Sequence, residues 1–310
     1  LGMFLNLIKY LIFNRPEVIF SAEDHLNAVV VISCIITFSN AKISVSSRVT
    51  PLDTYKNEKI IFSKSLFLKK IFPLVNLRAN ALTCVSKDMV KQYKKIFKYS
   101  KQIYAYNIIY TKAALKKMKE QINHKWMKNK KNQIIVASGT LAEWKCFDYL
   151  IEAAKLLNKK NINFKLIIIG NGPDKVMLNN MIKSYKLSNK VQILNPVINT
   201  LKYFYNSDIF VLSSRVEGMP NVMIEALMCG CTVVSTNCST GPREILGNNK
   251  YGYLSKVKNS QDLSKNIIKA LNKKIPTSKV KKILEKFDEK NVIKRHFQLL
   301  KIKRKDWLIQ

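Results

Sequence analysis

Acidic residues and arginine are scarce in this sequence, and glycine is scarce over most of its first half. The 20 Asp and Glu residues stand against 54 Lys and Arg residues, which gives a formal net charge of +34. A surplus of this size predicts an anionic partner such as lipid headgroups, phosphorylated substrates or nucleic acid. Only seven of the basic residues are arginine. Because AT-rich coding sequences also favour lysine, codon bias is an alternative source of part of the charge.

Cysteine pairs and long apolar runs that would define other protein classes are also lacking. The six cysteines form no Cys-x-x-Cys pair and have no zinc-like spacing to the three histidines, so we predict buried thiols in a reducing cytosol. The longest apolar run, residues 28–38, is shorter than the ~20 residues of a membrane-spanning helix. No small-residue cleavage site follows the apolar first 13 residues, which argues against a signal peptide.

Several phosphate-binding motifs are missing as well. No Asp-x-Asp occurs, so a metal–diphosphate site of that type is unsupported. No Gly-x-Gly-x-x-Gly and no P-loop occur, so dinucleotide oxidoreduction and nucleoside triphosphate hydrolysis lack their phosphate cradles. The sequence also contains no nucleic-acid-binding module, which makes a lysine-rich nucleic-acid-binding protein the least favoured interpretation.

Apart from Gly2, every glycine lies between residues 139 and 252, and this asymmetry divides the chain. From residue 133 onward, buried-type strand patterns alternate with amphipathic helix patterns, as in QIIVASG followed by CFDYLIEAAKLLNKK. That alternation predicts an α/β fold with a parallel, doubly wound sheet. In such sheets ligands bind at the carboxyl ends of the strands, near helix N-termini.

The first part of the chain predicts strands and helices with fewer turn signals. Short strands are predicted at PEVIFS, AKISVSS, ALTCVS and QIYAYN, and Ser86 is well placed to cap the helix KDMVKQYKKIF. The lysine-dense segment 111–132 is the predicted linker. We therefore predict an N-terminal domain over 1–130 that includes this linker, a C-terminal domain over 131–275 and basic helices over 276–310.

The stretch RVEGMPNVMIEAL, residues 215–227, places Glu217 and Glu225 on either side of a predicted strand-to-helix turn. Glu225, about one helical turn in, is near enough to the helix start to accept hydrogen bonds from a ribose diol. Glu217, in the loop, could reach further hydroxyl groups. Acids near helix starts are common, so a plain strand-to-helix turn is the alternative interpretation.

The turn between the two acids has the features of an anion site. Gly218 permits a tight turn and Pro220 suits the first helical turn. Backbone amides would then face a ligand, and the helix dipole would favour a phosphate. The residues that would supply these amides are Met219, Asn221 and Val222.

Glu217 and Glu225 form an E-x7-E pair, and the continuation STNCSTGPREIL follows it. This stretch resembles the donor-binding segment of the retaining GT-B glycosyltransferases of family 4, in particular members that build lipopolysaccharide, capsule or lipid-linked glycans. The resemblance extends over about residues 133–271 and is weaker in the N-terminal half. It implies two Rossmann-like parallel-sheet domains that face a cleft. Because family members begin with a strand and a glycine-rich loop, we expect the N-terminal domain to be truncated and incomplete.

The resemblance also implies roles for single residues. Glu225 would bind the donor ribose, Glu217 the sugar hydroxyls, and Lys145 the diphosphate, while Thr140 stands where the family usually has arginine. Taken alone, Lys145 is one solvated lysine among many, and the GNGPD turn is an ordinary turn before a helix. The expected nucleotide-sugar-binding residues are Gly139, Thr140, Gly170, Asn171, Gly172, Asn195, Ser214, Arg215, Gly218, Met219, Pro220, Asn221, Val222 and Glu225.

On the acceptor side, Arg48 in SSRVTP corresponds to a position where the family often has histidine. We expect it to be catalytic together with Glu217 and Lys145. His25 also follows a predicted strand and is a second candidate. A structural or surface role is the alternative for either residue.

The implied activity is metal-independent and needs no cofactor. It is transfer of a hexose or N-acetylhexosamine from a nucleotide-diphosphate sugar to a glycan acceptor, expected to be polyprenyl-linked, with no nucleic acid as partner. A nucleotide-sugar epimerase or a degenerate binding protein of the same fold is the alternative. Basic helices are expected to lie on an anionic membrane, which gives a cytoplasmic protein that is peripheral on the inner face of the plasma membrane. The lysines concerned are Lys9, Lys64, Lys69 and Lys70.

Overall fold

The structure, a computed structural model, describes residues 2–51, 64–128 and 132–302. The chain divides into two compact units. The first unit consists of the chain up to residue 107 together with the segment from residue 290 onward. The second unit consists of residues 108–289.

The first unit contains a parallel sheet and the helices that flank it. Its described elements are α1 (Gly2–Asn14), β1 (Val18–Ala22), α2 (Asp24–Ile36), β2 (Lys42–Ser47), α3 (Lys64–Arg78), β3 (Ala81–Cys84), α4 (Lys87–Ile96) and β4 (Ile103–Tyr104). The sheet has the strand order β1–β2–β3–β4. Its strands β2 and β3 are buried along nearly their whole length, as expected of parallel strands with helices on their faces. Ser86 caps α4 as predicted, since its Oγ accepts the Met89 N–H at 3.2 Å.

In its described residues the second unit contains six parallel strands, which confirms the predicted alternation of strands and helices. Two 3₁₀ turns, Glu143–Lys145 and Glu285–Phe287, complete it. Its elements are α5 (Lys112–Lys117), α6 (Lys125–Lys128), β5 (Gln133–Ser138), α7 (Phe147–Lys159), β6 (Phe164–Ile169), α8 (Lys175–Ser184), β7 (Val191–Leu194), α9 (Leu201–Tyr205), β8 (Ile209–Leu212), α10 (Asn221–Met228), β9 (Thr232–Thr236), α11 (Pro242–Leu246), β10 (Tyr253–Ser255), α12 (Ser260–Asn272) and α13 (Thr277–Leu284). The terminal helix α14 (Glu289–Leu299) follows.

The strand order of the second sheet is β10–β9–β8–β5–β6–β7. The chain therefore starts in the middle at β5, winds outward to β7, and then returns to the other side of β5 with β8. This is the doubly wound Rossmann order, and its topological switch point lies between β5 and β8. Apolar side chains of α7 and α12 pack with β5 and β6 into one core, which fixes the carboxyl edge of the sheet rigidly.

The division into units differs from the predicted boundary at residues 130 and 131. The amides of Ile109 and Tyr110 both donate to the Phe287 carbonyl at 3.1 Å, so the chain joins the second unit as soon as β4 is complete. The predicted linker 111–132 accordingly contains the short helices α5 and α6. Residues 129–131 of that linker lie outside the described residues.

The predicted C-terminal segment 276–310 is also divided between the units. Helix α13 belongs to the second unit, whereas α14 belongs mainly to the first. The His296 ring packs edge-on against Phe20 with 6.0 Å between ring centroids, and Arg295 lies over the Tyr104 ring. Residues 303–310 of the predicted segment lie outside the described residues.

All six cysteines are buried free thiols, as predicted. Their burial raises the thiol pKa, for Cys238 to about 12, so these groups are protonated at neutral pH. Across the described ranges 2–51, 64–128 and 132–302, no helix has both the length and the hydropathy that a bilayer span requires.

Candidate active site

Lys145 and Glu217 meet at the switch point of the second sheet. Lys145 ends the 3₁₀ turn that follows β5, and Glu217 lies in the loop that follows β8. Since β5 and β8 are neighbours in the sheet, these two loops emerge side by side. The Lys145 Nζ and Glu217 Oε1 atoms are 2.6 Å apart, and the side chains are only 18% and 12% exposed. The structure thus brings together the predicted phosphate-binding cation and the predicted sugar-binding acid as a largely buried ion pair.

Hydroxyl groups fix the Glu217 loop in place. The Ser214 hydroxyl donates to Glu217 Oε1 at 2.6 Å, the same oxygen that accepts from Lys145. Thr240, from the loop after β9, donates through its hydroxyl to the Glu217 main-chain carbonyl. Thr236 donates in the same way to the Ser214 carbonyl. The Glu217 carboxylate is therefore held in one orientation by groups from two strand ends.

The loop that carries Lys145 is bonded to the loop after β8. The Ser213 hydroxyl donates to the Lys145 carbonyl at 2.7 Å, and the Arg215 amide donates to the Trp144 carbonyl at 2.9 Å. The Arg215 guanidinium also forms an ion pair with Glu143, with 2.7 Å between Nη1 and Oε1. Sequence reasoning included Arg215 but missed Glu143, since nothing local to Glu143 indicates a partner 72 residues away.

The helix start predicted at Pro220 lies one residue later. Pro220 is the N-cap of α10, with φ −73° and ψ 95°, and its carbonyl accepts the Met223 amide at 3.0 Å. Gly241 packs directly on this turn at φ 89°, where a Cβ would lie 2.6 Å from Pro220 Cδ. Met219 is buried beneath the turn, whereas Gly218, Asn221 and Val222 are half-buried around it.

Glu225 lies in the second turn of α10 and is half-buried. Burial raises the pKa of its carboxyl group, because the charged form loses hydration. Within the described parts of the chain, no side chain or amide forms a hydrogen bond or ion pair with this carboxylate. A desolvated acceptor of this kind can bind the hydroxyl groups of a ligand.

The glycine-marked loops after β5 and β6 pack tightly against each other. A Cβ on Gly170 would lie 2.0 Å from the Gly139 carbonyl oxygen, so only glycine fits there. The Leu141 amide donates to the Asn171 carbonyl at 2.9 Å. A Cβ on Gly172 would likewise lie 2.3 Å from the Leu141 carbonyl oxygen. The predicted turns at 139–141 and 170–172 therefore form one continuous wall.

Two of the predicted nucleotide-sugar-binding residues, Thr140 and Asn195, are exposed to solvent near this wall. Thr140, which follows Gly139, is exposed. Asn195 is exposed after β7, and its Oδ1 accepts Lys175 Nζ at 2.5 Å. The candidates of the second unit thus share the carboxyl edge of one sheet, with the Lys145–Glu217 pair at its switch point.

Arg48 and His25 belong to the first unit. Arg48 directly follows β2, is exposed, and donates through Nη1 to the Asn107 side chain. His25 lies in the first turn of α2, just after β1, and is exposed. Both therefore lie at the carboxyl edge of the four-stranded sheet.

The charged groups of the second unit define what its carboxyl edge can bind. The Lys145 ammonium, the carboxylates of Glu217 and Glu225 and the start of α10 are suited to phosphate and to hydroxyl groups. Within the described residues, no three or more His, Cys, Asp or Glu side chains group closely enough to hold a metal ion. Metal independence stays a prediction.

Comparison with solved structures defines the class of fold. S. aureus TarM, solved in complex with UDP and alpha-GlcNAc-glycerol, matches with a TM-score of 0.74 and 19% identity over 96% of this chain and 58% of that chain. Anabaena Alr3699/HepE in complex with UDP matches with a TM-score of 0.75 and 16% identity over 97% of this chain and 82% of that chain. The protein therefore has the GT-B fold, with two Rossmann-like parallel sheets.

The chain belongs to the glycosyl transferases group 1 family, whose model matches residues 118–290, more than half of the sequence. It is 31% identical over 242 residues to a glycosyltransferase of Methanocaldococcus jannaschii, covering 75% of this chain and 58% of the relative. It is 35% identical over 133 residues to a Campylobacter jejuni N-acetylgalactosaminyltransferase that acts on a diphospho-undecaprenol-linked sugar, covering 43% of this chain and 36% of the relative. The chain thus spans less than two thirds of these relatives.

Proposed function

We propose that this chain is a retaining glycosyltransferase. It would transfer a sugar from a nucleotide-diphosphate donor to a glycan acceptor, expected to be polyprenyl-linked, in cell-surface polysaccharide biosynthesis. The observation that carries the proposal is the buried Lys145–Glu217 pair at the switch point, 2.6 Å between Nζ and Oε1. Family membership and similarity to an enzyme with a lipid-linked acceptor support the same reaction class.

Donor binding would exchange the Lys145–Glu217 pair for contacts with the ligand. The diphosphate would replace Glu217 as the ion-pair partner of the Lys145 ammonium, since two phosphates carry more negative charge than one carboxylate. Glu217, released from Lys145 but still held by Ser214, would accept hydrogen bonds from the transferred sugar. Glu225 would accept those of the ribose, for which its carboxylate is free within the described chain.

The chemistry follows from the charge that develops as the glycosidic bond to the donor phosphate breaks. Negative charge accumulates on the leaving diphosphate, where Lys145 and the amides around Met219 and Val222 at the start of α10 would stabilise it. The leaving phosphate would then guide the acceptor hydroxyl to the same face of the sugar. Arg48 is proposed to act on the acceptor side.

The wall formed by the loops after β5, β6 and β7 would face the nucleotide. The close packing of Gly170 and Gly172 against the backbone of the loop after β5 would hold this wall in a fixed position. Thr140, Asn171 and Asn195 would add polar contacts from the exposed side of this wall. A cytoplasmic position against an anionic membrane surface completes the proposal.

The test is turnover of UDP-, GDP- and dTDP-sugars with and without a polyprenyl-diphosphate-linked glycan acceptor. We expect donor consumption only when the acceptor is present; consumption without acceptor would favour an epimerase instead. Lys145→Met and Glu217→Gln should each lower kcat by about 10²-fold or more. Lys183→Met, at an exposed position near the end of α8, is the matched control and should leave kcat unchanged. Full activity of both site variants would reject the assignment.

A further inference from the structure

A network of buried polar groups lies at the carboxyl edge of the first sheet and centres on the Asp24 carboxylate. Asp24 is the first residue of α2, which follows β1 after a single residue. Its Oδ1 atom accepts the Ser47 hydroxyl at 2.6 Å, and its Oδ2 atom accepts the Tyr93 hydroxyl at 2.8 Å. Ser47 is 3% exposed and Tyr93 is fully buried. The carboxylate thus joins the start of α2 to the end of β2 and to α4.

The hydrogen bonds of this network run from the third and fourth strands towards Asp24. The Cys84 thiol, at the end of β3, donates to Gln102 Oε1. Gln102 donates through Nε2 to Ser47 Oγ at 3.2 Å, and Ser47 donates to Asp24 in turn. A chain of donors must end on an acceptor, and a carboxylate supplies acceptor oxygens without a competing donor. Buried networks of this kind make their surroundings rigid.

The backbone before Asp24 adopts a conformation that is rare for a residue with a side chain. Glu23 has φ 79° and ψ 132°, where glycine is favoured. Two hydrogen bonds to the Ser46 carbonyl hold this turn, one from the Glu23 amide at 3.0 Å and one from the Asn27 side chain at 3.1 Å. Such conformations persist only where the surrounding contacts enforce them, and they cluster at functional sites. The strained turn places the start of α2 against the end of β2, where Asp24 meets Ser47.

The same contacts fix the short segment that carries Arg48. Ser47 and Thr50, on either side of Arg48, are buried, whereas Arg48 itself is exposed. Ser47 is held by Asp24, and the Thr50 hydroxyl donates to Gln92 Oε1 at 2.5 Å. The segment is therefore anchored at both ends, and the Arg48 side chain extends to solvent from a fixed backbone.

We propose that Asp24 is a positioning residue that sets the place of Arg48 on the acceptor side. Ser47 is the direct neighbour of Arg48, so loss of the Asp24 carboxylate would release the backbone from which Arg48 extends. The Arg48 guanidinium is held separately, by the Asn107 side chain. This role rests on the proposed function, in which Arg48 acts on the acceptor side. A small displacement of such a group lowers the rate of the chemical step.

The test is a double-mutant cycle on sugar transfer by the full chain, with the nucleotide sugar and the polyprenyl-diphosphate-linked acceptor that give turnover. Asp24→Asn keeps the size of the side chain but replaces an acceptor oxygen by a donor. We expect it to lower kcat about tenfold. In the Arg48→Gln background the same change should lower kcat less than about twofold, since no guanidinium is left to position.

A second measurement separates this effect from a general loss of structure. The affinity for the nucleotide sugar, measured by calorimetry, should be unchanged in Asp24→Asn, because the proposed donor site lies in the second unit. A residue that only stabilises the fold would not lower kcat selectively at constant donor affinity.

Two smaller variants divide the network. Ser47→Ala leaves Asp24 bonded to Tyr93 but cuts its link to the neighbour of Arg48, so kcat should fall about as much as in Asp24→Asn. Tyr93→Phe cuts the link to α4 only, so it should lower the melting temperature and leave kcat within about twofold. Asp88→Asn, also in the first turn of a helix that follows a strand of this sheet, is the matched control and should leave kcat unchanged.

Three results would overturn the proposal. These are wild-type kcat in Asp24→Asn, an equal loss of kcat from Asp24→Asn with and without Arg48, or a loss of donor affinity in step with kcat. Normal kcat in Asp24→Asn beside a low kcat in Arg48→Gln would reject Asp24 alone. Full kcat in Arg48→Gln would reject the role of Arg48 and that of Asp24 with it, and no transfer by the wild type would reject the proposed function and this role together.

Discussion

Replacing Lys145 by methionine should destabilise the second unit strongly, because it leaves the Glu217 carboxylate without its cation. The Glu217 side chain is 12% exposed, and one of its carboxylate oxygens accepts hydrogen bonds from both Lys145 and Ser214. In the variant only the Ser214 hydroxyl remains to compensate a largely dehydrated charge. Replacing both residues, as Lys145→Met/Glu217→Gln, removes the charge and should restore most of the stability.

The expected magnitudes follow from burial. Breaking a fully buried pair costs 3–5 kcal/mol, and since this pair retains some solvent we expect about 2–3 kcal/mol for Lys145→Met. Glu217→Gln should cost about 1 kcal/mol, because the flexible Lys145 ammonium can turn towards water. The double variant should lie near the Glu217→Gln value, which gives a coupling energy of about 2 kcal/mol.

The assay is urea unfolding followed by far-UV circular dichroism for the wild type, both single variants and the double variant. The Arg215–Glu143 pair is a matched control in the same two loops, but its side chains are 33% and 77% exposed. Its coupling energy should stay below about 0.5 kcal/mol. If the Lys145 and Glu217 variants were additive within that margin, the pair would not exist in solution and the reasoning would be refuted.

Two further predictions concern the same edge of the sheet. Gly170→Ala should destabilise by about 3 kcal/mol or more, since its Cβ would lie 2.0 Å from the Gly139 carbonyl oxygen. Gly2→Ala, with open space around its Cβ, should cost nothing in the same urea unfolding assay. Glu225→Gln should raise stability at pH 7, because burial raises the folded pKa of this carboxyl and stability is lost as pH rises through it. That gain should vanish below about pH 4, where the carboxyl is protonated in both states; a gain that persists there would contradict the burial effect.

Local patterns predicted much of the second unit. The strand that ends at Leu212 and the helix that carries Glu225 are encoded by adjacent residues, and the predicted strand-to-helix turn lies between them. The Ser86 cap is equally local. Such features depend on backbone and side-chain preferences within a few residues, so a single sequence is sufficient to find them.

The direct contacts and the unit boundary that the sequence did not predict depend on strand order. Lys145 meets Glu217 only because β8 returns to the side of β5 rather than extending the sheet beyond β7. The same neighbourhood pairs Glu143 with Arg215. The unit boundary at residue 107 likewise depends on hydrogen bonds to Phe287, which lies far along the chain. No window of local sequence contains these partners.

Calorimetric titration of nucleotide sugars tests the central claim, that the switch point of the second sheet binds a nucleotide-diphosphate sugar. We predict that at least one of UDP-, GDP- or dTDP-sugar binds the wild type and binds about tenfold more weakly to Lys145→Met and to Glu225→Gln. Binding to the Lys183→Met control should be unchanged. The absence of binding by every donor, or equal affinity in all four proteins, would contradict the account.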